Sequence, residues 1–257
     1  MIKLGVLGVG DLTDKMIRGL SRKGSGAIQF LLSPRNEVKA AALAKDPGCT
    51  VMSSNQDVVD GADVVLVGVR PAHLAELAQH VSLKPFQPLV SVVAGVSTKD
   101  LSRLFGDRDY SRVMLSCAAE INRSTVAVYP ANSKAAQLFA PLGNVVNLET
   151  EREFELGMIA ACMNGWFYFL VHELQQWLTE KGMPLESARA LVFSSVEDCV
   201  AYARYKSSTP IDVLGQSIAT PGTYTAGGRD VLIEHDGYAA WRAACDHVFN
   251  QLVCDKR

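Results

Sequence analysis

Apolar runs of strand length alternate with amphipathic stretches along the first 150 residues of the chain. Ile2–Leu7 is an apolar run typical of a buried parallel strand, and apolar residues then recur at helical spacing from Leu12 to Leu20. Further strands are predicted at 27–32, 50–52, 64–69, 89–94, 112–115, 125–129 and 145–148, and helices at 39–45, 57–61, 71–77, 98–105 and 135–142. This alternation predicts an α/β fold in which residues 1–150 form an N-terminal Rossmann-like domain with right-handed crossovers.

The pattern changes at Glu151, after which no convincing strand is found. Residues 151–181 and 185–205 have helical periodicity, and shorter helical stretches follow on either side of a loop at 220–225. We therefore predict an all-α C-terminal domain over residues 151–257 that carries dimerisation. Its two long helices are too apolar for one small domain to cover, so we expect a homodimer or a higher homo-oligomer.

The charge balance narrows the classes of partner. The chain carries 25 basic and 27 acidic residues, a formal net charge of -2 at pH 7. This balance argues against a nucleic-acid surface or a membrane surface as partner, and leaves a small-molecule substrate. No apolar run is expected to reach the length of a membrane span, and the N-terminus lacks the features of a signal peptide. A cytoplasmic protein is expected.

Cysteine and histidine show no metal-ligand spacing. The six cysteines are scattered singly, which predicts small apolar core residues in a reducing compartment; they are Cys49, Cys117, Cys162, Cys199, Cys245 and Cys254. The five histidines are interpreted as surface or core residues; they are His73, His80, His172, His235 and His247. We expect no metal site, no Ser-His-Asp triad and no catalytic pair of carboxylates.

A glycine turn follows the first predicted strand. Gly8 permits a tight turn, Gly10 lets the backbone approach a pyrophosphate, and the helix starting at Asp11 and Leu12 offers free N–H groups to the anion. The third glycine of the dinucleotide fingerprint is replaced by Thr13, which weakens the match. The alternative is a tight strand-to-helix turn with no ligand, but the strand-turn-helix context favours cofactor binding.

The end of the second predicted strand bears on which cofactor is used. An acidic residue here would bind the ribose 2′-hydroxyl of NAD, and none is present. Ser33, Arg35 and Asn36 stand there instead, and these side chains suit a 2′-phosphate. The sequence therefore predicts NADPH rather than NADH, the alternative being a surface turn that contains an arginine.

Five motifs occur in the order found in pyrroline-5-carboxylate reductases, and the chain resembles that family over most of its length. The motifs are Met-Ile-Arg-Gly-Leu at 16–20, Ser-Pro-Arg-Asn at 33–36, Gly-Val-Arg-Pro at 68–71, Ala-Gly at 94–95, and Thr-Pro-Gly-Thr-Tyr-Thr-Ala-Gly-Gly at 220–228. The resemblance implies an oxidoreductase of proline biosynthesis that reduces 1-pyrroline-5-carboxylate to proline with NADPH. It also implies cofactor contacts at Val69, Arg70 and Pro71.

The loop at 220–225 is the candidate substrate site. Its glycine-containing composition suits a carboxylate-binding loop before a helix. By resemblance, the Thr225 hydroxyl hydrogen-bonds the imine nitrogen, Thr220 helps to hold the substrate carboxylate, and Gly222, Thr223 and Tyr224 complete the substrate-binding loop. The alternative is a plain helix N-cap segment, because Thr and Pro-Gly often begin helices.

Departures from the family concern substrate identity more than fold or cofactor. The family has Arg-x-Met-Pro-Asn where this chain has Leu115 and Ser116 in place of Pro-Asn, and Gly-Ser-Gly-Pro-Ala-Tyr where it has Trp166 and Phe167 in place of Pro-Ala. These two aromatic residues, with Phe169, are interpreted as core or dimer packing. Two alternatives stay open: a non-catalytic NADPH-binding dimer that serves as a sensor or binds a partner, and a reductase of a different imine.

Overall fold

A twisted eight-stranded sheet forms the first half of the computed structural model, which describes residues 1–23, 26–131 and 133–253. The strands are β1 Ile2–Leu7, β2 Ile28–Leu32, β3 Cys49–Val51, β4 Val64–Val67, β5 Leu89–Ser91, β6 Tyr110–Met114, β7 Ser124–Tyr129 and β8 Gly143–Asn147. Their order is β3-β2-β1-β4-β5-β6-β7-β8. Every neighbouring pair is parallel except β6 and β7.

The antiparallel step differs from the uniform right-handed winding expected from the sequence. A 3-10 turn at Cys117–Ile121, rather than a crossover helix, joins β6 to β7. A parallel neighbour needs a long crossover connection, so this short link returns the chain in the opposite direction. The predicted strands are otherwise confirmed as elements, with the ends of β1 as predicted and those of the others within three residues.

Two apolar cores lie on opposite faces of the sheet because successive strand residues point to opposite sides. Leu4 and Val6 of β1 belong to one core, together with α1 (Asp11–Lys23), α2 (Glu37–Leu43) and α6 (Lys134–Phe139). Leu7 belongs to the other, together with α3 (Asn55–Gly61), α4 (Leu74–Gln79) and α5 (Thr98–Phe105). Burial of both faces explains why the strands read as continuous apolar runs.

Helices make up most of the described residues from Glu151 to Val253, as the sequence predicts. The helices are α7 Glu151–Glu180, α8 Leu185–Tyr205, α9 Ile211–Ile218, α10 Tyr224–Glu234 and α11 Gly237–Val253. The chain divides into two compact units, Met1–Ala161 and Cys162–Arg257. This division falls inside α7, eleven residues beyond the boundary expected at its first residue, and the roles assigned to the two segments stay predictions.

The second unit buries few of its large apolar side chains. Phe169 is 74% exposed and Trp177 is 56% exposed, and only Ala188, Val192, Ala219 and Ala226 are its buried apolar residues among those described. Helix α7 is also long and apolar enough to cross a membrane, with a mean hydropathy of 1.4 over 18 residues of which 17% are buried. The expectation that no run reaches this length is therefore wrong. Length and composition alone do not separate a membrane span from a helix whose apolar surface meets another protein surface.

The cysteines are less uniformly buried than predicted. Cys49 is buried, whereas Cys117 and Cys199 are exposed, and Cys162 and Cys245 are intermediate. Cys254 lies outside the described residues. The core prediction is thus right for Cys49 and wrong for Cys117, which lies on the 3-10 turn between β6 and β7, and for Cys199 on α8.

Candidate active site

The turn after β1 requires glycine at its first position. Gly8 has a φ of 100°, a conformation that residues with a side chain rarely adopt. A Cβ there would lie 2.7 Å from Val69 Cγ1 and 2.9 Å from the Gly68 carbonyl carbon. The Gly8 N–H donates to Ser33 Oγ over 3.1 Å. The ends of β1, β2 and β4 are therefore joined closely at this turn.

Thr13 occupies the place of the third glycine without opening the turn. Its side chain is 1% exposed, and its Oγ1 accepts a hydrogen bond from the Gly10 N–H over 2.7 Å and donates to the Gly8 carbonyl over 2.9 Å. Across the interface with β4, a Cβ on Gly68 would lie 2.5 Å from Thr13 Cγ2. Close packing of helix and strand is thus permitted by the absence of a side chain at Gly68, instead of by a glycine at position 13.

The hydrogen bonds inside the turn determine which amides can face an anion. The N–H groups of Gly8 and Gly10 are both used within the protein. Helix geometry leaves the first-turn N–H groups of α1 without intrahelical partners, and these include Asp11 and Leu12. Nothing lies within 4 Å of a Cβ built on Gly10, so the backbone there is open to close approach.

A crevice of about 480 Å³ opens at this end of the sheet. It brings together six of the ten residues predicted for the cofactor: Gly8, Gly10, Arg35, Asn36, Val69 and Arg70. It adds five that the sequence reasoning did not assign: Val9, Glu37, Val38, Gly68 and His73. Asp11, Leu12, Ser33 and Pro71 are not among the lining residues; Pro71 begins the 3-10 turn Pro71–His73 that leads into α4.

The three predicted 2′-phosphate residues have different roles in the structure. Ser33, predicted to suit a 2′-phosphate, is 1% exposed, and its hydroxyl accepts from the Gly8 N–H, so it supports the glycine turn. Asn36 donates through Nδ2 to the Val9 carbonyl over 2.8 Å and caps α2. Arg35 is exposed and makes no ion pair within the described parts of the chain. Of the three, Arg35 is therefore the side chain available to an anion.

Lys39 is a nearby cation that the sequence analysis did not single out. It lies in the first turn of α2, four residues after Arg35, which precedes the Asn36 cap. Its ammonium pairs with the Asp11 carboxylate, and that hydrogen bond and charge lower the pKa of the Asp11 carboxyl. Lys39 therefore links the start of α1 to the turn after β2.

A buried arginine, Arg112, lies on β6. Arg112 on β6 is fully buried, and its Nη1 donates to Glu155 over 2.7 Å and to Glu151 over 3.2 Å. Its guanidinium also lies 4.3 Å from the centroid of the Phe154 ring. Glu151 in turn accepts from the Thr98 N–H over 2.7 Å. This cluster holds the starts of α5 and α7 against β6.

The altered segment after Arg112 is part of the protein framework. Leu115 is 5% exposed, and Ser116 begins the 3-10 turn by accepting from the Ala118 N–H. The Ser116 N–H donates to Ser124 Oγ over 2.9 Å. The two residues that replace Pro-Asn therefore stabilise the reversal from β6 to β7.

The predicted substrate loop belongs to the second unit and forms the start of α10. Gly222 has a φ of 84°, and Thr223 caps the helix by accepting from the Ala226 N–H over 3.1 Å while donating to the Thr220 carbonyl over 2.8 Å. Tyr224 and Thr225 are exposed. The loop thus contains the N-cap of α10, and Thr225 is exposed in the first turn of that helix.

An aromatic cluster marks the second altered segment. The Trp166 and Trp241 rings are 6.3 Å apart in an edge-to-face arrangement, and Phe167 lies 5.5 Å from Trp241. Trp166 and Phe167 thereby join α7 to α11 within the second unit. Phe169 is exposed and has no such contact among the described residues.

Two family models match the chain. Residues 3–95 match the family described as NADP oxidoreductase coenzyme F420-dependent, which covers the glycine turn and the crevice. Residues 155–252 match the pyrroline-5-carboxylate reductase dimerisation domain. These matches support the pyrroline-5-carboxylate reductase family for this chain. The dimerisation match covers most of α7 and all of α8 to α10, the region whose apolar side chains are exposed in a single chain, and it supports a homo-oligomer.

Members of this family align with the chain over nearly their full length. The Pasteurella multocida pyrroline-5-carboxylate reductase is 28% identical over 240 residues, which are 88% of this chain and 87% of that protein. The crystal structure of the Streptococcus pyogenes enzyme matches with a TM-score of 0.87 at 22% identity and covers 98% of both chains. The Plasmodium falciparum pyrroline carboxylate reductase with NADP bound matches with a TM-score of 0.85 at 19% identity, over 98% of this chain and 97% of that one. The fold is therefore that of the family.

Proposed function

We propose that the protein reduces a cyclic imine carboxylate with NADPH, and that 1-pyrroline-5-carboxylate, converted to proline, is its substrate. The single observation that carries this proposal is the glycine turn with its crevice in a chain whose second half matches the family's dimerisation domain. The relatives that align over most of the chain are named for this substrate. In the reaction, a hydride from the nicotinamide adds to the imine carbon and a proton is added to the nitrogen.

The crevice fits a dinucleotide by its backbone and by its charge. The Gly8 cradle has no room for a Cβ, and the first turn of α1 offers N–H groups to a pyrophosphate. No acidic side chain follows β2 until Glu37, and Arg35 is free of ion pairs among the described residues. We propose that Arg35 binds the 2′-phosphate, that Asn36 and Ser33 hold the turn in shape, and that Arg70 and His73 complete the wall. A nicotinamide bound there would supply the hydride.

Substrate binding is proposed at the start of α10. Thr225 would donate its hydroxyl to the imine nitrogen, while Thr220, Gly222 and the N–H groups of the first helical turn would bind the substrate carboxylate. The Thr223 hydroxyl is committed to capping, so its proposed role is to hold Tyr224 and Thr225 in place. The exposure of Thr225 in a single chain supports its availability to a ligand.

A second candidate function is favoured by one observation. Trp166 and Phe167 replace small residues of the family and fill space against Trp241. The chain would then be an NADPH-binding dimer without imine reductase activity. A reductase of a different imine is the intermediate case. In each case we propose a homodimer or higher homo-oligomer in the cytoplasm, with dimerisation through residues 155–252.

NADPH oxidation with 1-pyrroline-5-carboxylate and a panel of larger cyclic imines tests the proposal. Thr225→Ala should lower turnover about 10- to 1000-fold, as expected for loss of one transition-state hydrogen bond, while NADPH binding measured by fluorescence stays unchanged. Thr225→Ser, which keeps the hydroxyl, is the matched control and should retain most activity. Arg35→Ala should raise the KM for NADPH and leave that for NADH almost unchanged.

The outcomes separate the candidates. Tight NADPH binding without turnover of any imine would support the non-catalytic dimer. Activity on a larger imine alone would change the substrate and keep the reaction. If Thr225→Ala turns over like the parent protein, the assignment of Thr225 is wrong. Equal losses with NADPH and NADH in Arg35→Ala would remove the 2′-phosphate assignment.

A further inference from the structure

The first unit contains a second cavity, of about 610 Å³, at the opposite end of the parallel strands from the crevice. The crevice lies where β1 and β4 end, whereas this cavity is lined by residues at or beside the starts of parallel strands, among them Ile2, Val64 and Tyr110. The two cavities share no lining residue. A ligand in the second cavity therefore would not touch the residues proposed to bind the cofactor.

The walls of this cavity are apolar and partly aromatic. Val64, Val90 and Leu138 belong to the core on the α1 and α6 face and reach the cavity from the sheet and from α6. Tyr129, the last residue of β7, and Pro130, which follows it, provide flat surfaces beside these apolar side chains. Small-molecule sites of this size are mostly apolar with a few convergent polar groups, and flat walls favour a ring.

Two adjacent polar side chains, Ser133 and Lys134, indicate which class of ligand the cavity favours. The Ser133 hydroxyl is shielded from solvent and has no hydrogen-bond partner among the described residues. A buried hydroxyl without a partner is destabilising, so a ligand oxygen that accepts from it would be stabilised. Lys134 lines the same cavity and has no ion pair within the described parts of the chain.

The other charged groups leave an excess of positive charge. Arg108 donates to the main-chain carbonyls of Phe105 and Lys84, so its charge has no carboxylate partner there. Asp109 is the one acidic residue among the described lining residues, against Arg108 and Lys134. The net charge of the lining favours an anion over a cation or a zwitterion.

We propose that this cavity binds a small aromatic carboxylate. Its ring would lie against Val64, Val90 and Leu138, and its carboxylate would accept hydrogen bonds from Ser133 and Lys134. This site is independent of the proposed reductase activity.

Calorimetric titration of the full-length protein with 1-naphthoate tests the proposal, with the neutral 1-naphthalenemethanol as the comparison ligand. Lys134→Gln should weaken 1-naphthoate binding about tenfold, the effect of one charge-assisted hydrogen bond at a partly exposed site. The same change should leave 1-naphthalenemethanol binding unaltered. Lys99→Gln removes an exposed lysine that does not line the cavity and should change neither.

Two further measurements locate the site. Val64→Trp fills the cavity and should abolish 1-naphthoate binding, with unchanged NADPH binding showing that the first unit is folded. Saturating NADPH should leave 1-naphthoate affinity unchanged, because the two cavities are separate. Displacement by NADPH, equal affinities in Lys134→Gln and Lys99→Gln, or no heat of binding with the parent protein would each overturn the proposal.

Discussion

The packing of Thr13 against Gly68 predicts that a substitution at one position offsets part of the stability lost by a substitution at the other. In Gly68→Ala the new Cβ would lie 2.5 Å from Thr13 Cγ2, where ordinary van der Waals contact begins at 3.4 Å. Thr13 is a buried residue of α1 and Gly68 directly follows β4, so neither can move without shifting its element. Overpacking of this kind costs about 1–3 kcal/mol of unfolding free energy.

Thr13→Ser separates the steric effect from the hydrogen bonds. Serine keeps the hydroxyl that bonds to Gly8 and Gly10 and removes the methyl that a residue at 68 would strike. Alone, this change should cost about 0.5–1.5 kcal/mol, the cost of deleting one buried methyl group. In the double variant, Gly68→Ala should cost about 1–2 kcal/mol less than it does in the parent protein, because most of the overpacking is relieved.

Urea unfolding followed by circular dichroism measures the four proteins of this cycle at one fixed protein concentration, because the oligomer's stability depends on concentration. NADPH affinity gives a second readout: Gly68→Ala should weaken it by displacing the glycine turn, and Thr13→Ser should restore it in the double variant. If the two stability losses add to within about 0.5 kcal/mol, the residues are independent and the compensation argument is refuted.

Three further outcomes follow from other parts of the structure. Arg112→Met should lower the unfolding free energy by about 3–5 kcal/mol because it breaks the buried ion pair of Arg112 with Glu155, while Arg103→Met, at an exposed ion pair, should cost less than about 1 kcal/mol; urea unfolding compares them. Burial raises the pKa of the Cys49 thiol to about 11, so Cys49 should stay unmodified by iodoacetamide at pH 8 under conditions that alkylate the exposed Cys117, as read by mass spectrometry. Light scattering at micromolar concentration should show a dimer or larger species, and a fully active monomer would contradict the dimerisation proposal.

Local sequence signals were sufficient wherever neighbouring residues decide the conformation. The helix predicted at 98–105 has those ends in the structure, where Ser97 and Asp100 form a capping box and Gly106 follows the last turn. The helix at Leu185–Tyr205 likewise begins after Pro184 as predicted. The strand, glycine turn and helix at the N-terminus were readable for the same reason, since apolar periodicity and Gly8 are local features.

These local signals do not reveal contacts between residues that are far apart in the sequence. Thr13 read as a weakened fingerprint because nothing local shows that Gly68, on another element, makes room for its methyl group. The sequence predicts Ser33 as a 2′-phosphate ligand, but in the structure its hydroxyl accepts a hydrogen bond from the Gly8 N–H, at the end of a neighbouring strand.

The tertiary structure also decided where charge and apolar surface lie. The pairing of Lys39 with Asp11 depends on how α2 sits beside the start of α1, and the burial of Arg112 depends on α7 covering β6. The sequence by itself determined which segments are helices and strands, and which cofactor chemistry they can support, because these follow from spacing and residue type. Which side chains are committed to the framework and which stay free to bind was decided by tertiary packing, since a hydroxyl, an ammonium or a guanidinium bonds to whatever the fold brings within its reach.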